Sequence, residues 1–122
     1  MGSHPINLGF RFLLELAALI ALAVWGWSIS AGAMGVVAAL AAPIVAAAMW
    51  GLFNVPGDPS RSGAAPIQVR GAVRLVGELA FFALAAWALA ASGHANLGIA
   101  LSVAVAIHYA ISYDRIAWLV AR

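Results

Sequence analysis

Arg11-Phe-Leu-Leu-Glu15-Leu-Ala and Arg74-Leu-Val-Gly-Glu78-Leu-Ala are one phrase written twice, and each copy sets a carboxylate one helical turn beyond a guanidinium. The chain has six basic residues, all of them Arg, and four acidic ones; four of these charges are spent in the two phrases. Both phrases open long apolar runs, where an ionisable side chain is costly and needs a reason. Glu15 and Glu78 are therefore candidates for proton exchange or for holding cargo. His108 joins them as a group that changes charge near neutral pH. Asp58, in a stretch rich in Pro, Gly and Ser, is a fourth titratable candidate. Between them these four could act as acid and base. Arg11, Arg74, Arg61 and Arg115 would orient the carboxylates or stabilise developing negative charge. Trp50, Ser112, Tyr113 and Asp114 complete the set that would meet a substrate or ion.

A plainer reading treats Arg11–Glu15 and Arg74–Glu78 as self-neutralising i, i+4 pairs that anchor helix ends. Arg before Glu is the weaker orientation of that pair and puts a cation at the positive end of the helix. A purely local stabiliser would more naturally be written the other way round, which favours a site. Glu15, Glu78 and His108 are proper metal ligands, but no H-x-x-E or H-x-x-x-H spacing supports a metal. No phosphate loop, dinucleotide fingerprint or nucleophile elbow is present, so no cofactor is expected.

The elements that carry these residues must suit lipid. The chain is 66% hydrophobic and 8% charged, with a mean hydropathy of +1.04, whereas soluble domains carry roughly 25% charged residues. The absence of Cys excludes disulfide, thiolate and Cys-metal chemistry. The net charge of +2 and pI near 10 come from Arg residues beside apolar spans, without a basic tail or stripe, so nucleic acid is not a partner. Apolar runs at 8–29, 35–53, 69–91 and 97–118 each approach the ~20 residues a membrane-crossing helix needs. They predict an all-α integral membrane protein: one four-transmembrane-helix bundle over residues 1–122, with a connecting loop at 54–68. Residues 8–33 read as a retained helix rather than a cleaved signal, since the run is too long and carries Glu15. Ala38, Ala42 and Ala46 supply the small-residue spacing that lets helices approach closely in lipid, and Pro43 should kink the second helix.

Orientation follows from Arg placement. Arg11, Arg61, Arg70, Arg74, Arg115 and Arg122 lie near the termini or around the middle loop, and the two short hairpin turns have none. The positive-inside rule then places both termini and the middle loop in the cytoplasm. The two halves share that orientation, so the duplicated phrase predicts two helical hairpins in parallel repeat. Glu15 and Glu78 would be related by an axis along the membrane normal. Trp50 and Tyr113 occupy matching positions in the halves, and Trp25 and Trp87 nearly so.

Depth brings the candidates together. Glu15 and Glu78 lie roughly 6 Å inward of their Arg partners, and His108 roughly 9 Å inside the Asp114 boundary, at 1.5 Å per residue. Trp50 sits at a similar depth. The expected result is a polar pocket open toward the cytoplasm under an apolar outer half. In the middle loop, Asp58-Pro59 suits an Asx turn or cap, and Asp58 could pair with Arg61. The loop reads equally as a tight reversal or as a lid. Tyr109 and Tyr113 read as interfacial anchors rather than donors.

Four blocks of sequence carry a resemblance. Leu8-Gly-Phe-Arg-Phe-Leu-Leu-Glu-Leu, Trp50-Gly-Leu-Phe-Asn-Val-Pro-Gly-Asp-Pro-Ser-Arg-Ser-Gly, Arg74-Leu-x-x-Glu78-Leu and His108-Tyr-x-x-Ser112-Tyr-Asp-Arg115 resemble the YrdB-like family of small bacterial membrane proteins. The likeness spans nearly the whole chain. It implies a four-helix membrane protein and brings no activity with it.

Three functional readings follow. The first is proton-linked transport of a small molecule or ion, with Glu15, Glu78 and His108 in the pocket. The second is a membrane enzyme using acid/base chemistry on a lipophilic substrate. The third is an accessory membrane subunit without chemistry. The partners expected are the lipid bilayer, a lipophilic or cationic small molecule, and a second copy of the chain.

Overall fold

The chain enters its first helix through His4 and Pro5. Pro5 has no N–H to satisfy and a φ already set for a helix start, and His4 Nδ1 accepts the Ile6 N–H at 3.2 Å. In the computed structural model, which describes residues 4–58 and 66–122, this opens α1 (Pro5–Ser28). There follow α2 (Ala33–Leu52), β1 (Phe53–Asn54), β2 (Ile67–Gln68), α3 (Gly71–Ala91), α4 (Ala95–Ile111) and α5 (Tyr113–Val120). Among the described residues the chain is all-α apart from a short parallel pairing of Phe53 with Ile67 and Asn54 with Gln68. That pairing closes the base of the middle loop.

Helices α1, α2 and α3 are each long and apolar enough to cross a membrane, and α4 with α5 passes the same test as a bent pair. Their outward faces carry bare side chains such as Ile20, Leu40, Ile44, Val76 and Ile99. Lipid solvates such faces, and the helical backbone satisfies its own polar groups there.

The fourth apolar run, expected as one helix over 97–118, is two. Ser112 leaves helical geometry at φ −98°, ψ 32°, and α5 turns 72° away from α4. The turn is held by Ser112 N–H to His108 O at 2.9 Å and Arg115 N–H to Ser112 O at 2.9 Å. Its effect is to bury Arg115 and Leu119. Leu119 lies so close to Gly71 that no Cβ would fit at that glycine.

The core runs through α1, α3 and α4. Leu14, Ala18, Ala21, Phe82, Ala85, Leu101 and Val105 form one buried cluster at helical spacing. Helix α2 stands apart, with Gly35 its only buried residue and α1 its main packing partner. Gly26 of α1 meets the Ala38 backbone with no space for a Cβ, which pins the hairpin. Because α2 leans on α1 for most of its length and reaches α3 through Trp50 near its end, a cleft separates it from α3.

Candidate functional site

At the end of the bundle where α2 finishes and α3 begins, the charged residues converge on Glu78. This carboxylate is completely buried. Arg74, one turn earlier on α3, donates Nε–H to Glu78 Oε2 at 2.8 Å. From α1, Arg11 Nη2 lies 3.0 Å from Oε1, as an ion pair off the hydrogen-bonding direction. From α5, Arg115 Nη2 donates to Oε2. From α4, the Tyr109 hydroxyl donates to Oε1 at 2.6 Å. Four helices thus meet on one side chain.

Each arginine has further work. Arg74 Nη1 donates to Trp50 O and Phe53 O, both at 2.8 Å, and so satisfies carbonyls left open at the end of α2. Its guanidinium stacks on the Trp50 ring, 4.3 Å from the centroid. Arg115 grips Asp58 with both forks, Nη1 to Oδ1 at 2.6 Å and Nη2 to Oδ2 at 2.9 Å. This bidentate pair is the strong geometry for guanidinium and carboxylate, and it ties the middle loop to α5. Arg11 Nε lies 3.3 Å from Glu15 Oε1, and Arg11 Nη1 lies 3.4 Å from His108 Nε2.

His108 closes the neutral side of the cluster. Its Nδ1 lies 3.1 Å from Asn7 Oδ1, and Asn7 Nδ2 donates to Ser112 Oγ at 2.6 Å. Donors and acceptors match throughout when the proton sits on Nδ1, because Nε2 then accepts from Arg11. In formal charge the three guanidiniums face three carboxylates, Glu78, Asp58 and Glu15. Buried charges are tolerable only when paired and hydrogen-bonded in this way.

The structure therefore brings together Arg11, Asp58, Arg74, Glu78, His108, Ser112 and Arg115, with Trp50 stacked at their edge. These side chains close on one another, and Arg74 and Trp50 also line an open groove. Glu15 sits at the rim with its side chain 22% exposed. Glu15 and Glu78, equivalent in the sequence phrase, thus stand in different surroundings. Tyr113 and Asp114 are exposed. Arg61 lies outside the described residues; Asp58, expected beside it, is held by Arg115. Sequence reasoning passed over Asn7 and Tyr109. Asn7 was within reach, since it continues the Arg11–Glu15 face one turn back. Tyr109 was read as an anchor, and its burial depends on how α4 rotates. Among the described residues no group of three or more His, Cys, Asp or Glu is arranged to hold a metal ion.

The second feature of this region is the cleft between α2 and α3. It forms a groove of about 850 Å³ floored by Leu22 and Trp25 of α1, with Ala42 and Ala46 on one wall and Gly77 on the other. Trp25 and Trp87 pack together at its far end, ring centroids 5.7 Å apart. Arg74 and Trp50 line its near end. The walls between are apolar, and the volume falls within the ~300–1,000 Å³ typical of small-molecule sites.

Comparison with known proteins gives the family and no chemistry. A family model described as a protein of unknown function, DUF2568, matches residues 9–106. The "Uncharacterized protein YrdB" of Bacillus subtilis (strain 168) is 45% identical over 116 residues, which is 95% of this chain and 94% of that protein. No solved structure matches the chain.

Proposed function

The chain belongs to the YrdB-like DUF2568 family, and from that premise we propose that it transports an amphipathic small molecule taken sideways from the bilayer. The observation that carries this reading is the α2–α3 groove, apolar along its length and ending at the charged cluster through Arg74 and Trp50. A ligand would lie with its apolar part against α2 and α3 and its polar end at the cluster. On this reading the protein is multi-pass in the inner membrane, both termini and the middle loop are cytoplasmic, and the groove's polar end faces the cytoplasm, as the Arg distribution indicates. Native mass spectrometry of protein released from membranes tests the reading. One lipophilic adduct should accompany the wild-type chain and be lost in Ala46→Phe, which fills the groove. An adduct that persists in the variant, or none in either protein, sinks it.

Proton coupling has its own support. Glu78 is engaged by three guanidiniums and a phenol, whereas Glu15 is partly exposed. The proton-exchanging carboxylate is then Glu15. In liposomes loaded with a pH dye, Glu15→Gln should abolish proton movement driven by an added amphiphile while the protein stays folded. Unchanged proton movement in that variant removes the coupling.

A further inference from the structure

We infer that the groove takes an amphiphile with one apolar chain and an anionic oxygen head, and that Arg74 and Trp50 receive the head. The inference rests on the lateral-groove reading above and adds the chemistry of its polar end. Arg and Trp side chains are hydrogen-bond donors only. Arg74 uses Nε on Glu78 and Nη1 on two backbone carbonyls. Its Nη2, and the Nε1 of Trp50, are buried with no hydrogen-bond partner among the described residues. Arg74 is itself 4% exposed.

Two buried donor groups without acceptors, side by side on the wall of one groove, ask for oxygen. Charge narrows the choice further. Arg74 is the charged residue that lines the groove, and neither Glu15 nor Glu78 is among its lining residues. Arg11 lies behind, 5.3 Å from the Trp50 ring centroid. The end of the groove is thus donor-rich with no carboxylate on its lining, which favours a carboxylate or phosphate head over a cationic cargo. Both atoms are buried, so the side chains that cover them must shift as the head arrives. The chain of the amphiphile then has the groove to itself, from Trp50 to the Trp25–Trp87 pair. Between Ala38 and Trp50 this path follows α2 for roughly 18 Å at 1.5 Å per residue.

The test uses the full chain in phosphatidylcholine vesicles and two probes, a fatty acid brominated near its tail and the matching brominated alcohol, at a pH where the acid is ionised. Bromine quenches Trp on contact, so a seated chain darkens Trp25 and Trp87. Bilayer lipid competes throughout, and Ala46→Phe gives the non-specific background. Quenching by the carboxylate should saturate at roughly tenfold lower concentration than quenching by the alcohol, as one charge-assisted hydrogen bond implies. Trp50→Phe, which keeps the ring and removes the Nε1–H, should erase most of that preference. Excess acetate, the same head without a chain, should displace nothing. Equal saturable quenching by both probes, unchanged in Trp50→Phe, would leave the groove standing and overturn the anionic head. Displacement by acetate would mean a bare anion site and overturn the single-chain amphiphile. No quenching above the Ala46→Phe background by either probe would remove the groove reading itself.

Discussion

Glu78 accepts from or pairs with guanidiniums of α1, α3 and α5 and a hydroxyl of α4. Removing one member of a buried charge set leaves the others uncompensated, which typically costs about 3–5 kcal/mol. Glu78→Gln should therefore lower the thermal unfolding midpoint in detergent sharply. Glu15→Gln, at the rim, should cost about 0–1 kcal/mol in the same measurement. Similar losses in the two variants would mean that the repeated phrase acts symmetrically after all. Tyr109→Phe deletes one donor to a buried carboxylate and should cost about 1–3 kcal/mol. The identities of these charged residues were plain in the sequence, because ionisable side chains stand out in an apolar run. Their inequality was not. Arg11 and Arg74 both reach the same carboxylate, and whether a Glu on α1 or on α3 is enclosed depends on helix rotation that spacing alone does not set.

Among the helices, α5 is the element that the apolar pattern hid. The run 97–118 reads as continuous, yet the quartet Ser112-Tyr-Asp-Arg115 is polar enough to mark a break, and it is there that α5 bends by 72°. What fixes α5 in place is contact at three points: the Asp58–Arg115 bidentate pair, the Arg115–Glu78 bond and the approach of Leu119 to Gly71. Gly71→Ala forces a methyl group into that approach and should destabilise the protein by about 1–3 kcal/mol. The effect should be localised. Limited proteolysis in detergent should release the C-terminal segment faster in Gly71→Ala while α1 to α3 resist as before; uniform digestion would contradict a local anchor. The other helices were legible because their length and hydropathy leave few alternatives in lipid.

At the scale of the whole molecule, two hairpins spelled with a common phrase are used unequally. The first gives α1 to the core and leaves α2 outside it, while the second gives both α3 and α4. Composition announced membrane helices, but it could not announce a groove, since lipid-facing and groove-facing Ala residues are the same residue type. Orientation can be checked cleanly because the chain has no Cys. Single Ser92→Cys and Ala121→Cys variants should react with a membrane-impermeant thiol reagent from opposite sides, Ser92 from outside the cell. Labelling from one side only would reverse or flatten the proposed topology.

The engagement of Glu78 by Arg115 also orders events during synthesis. Glu78 enters the bilayer with α3, well before the ribosome has produced α5. Until then this carboxylate and Asp58 lack the guanidinium that bridges them. Arg11 and Arg74 already face Glu78 at that stage, and α5 adds the guanidinium that joins it to Asp58. A chain stopped short of Tyr113 would leave Glu78 and the middle loop without that bridge. Arg115 thereby acts as a late clasp between the middle loop and α3.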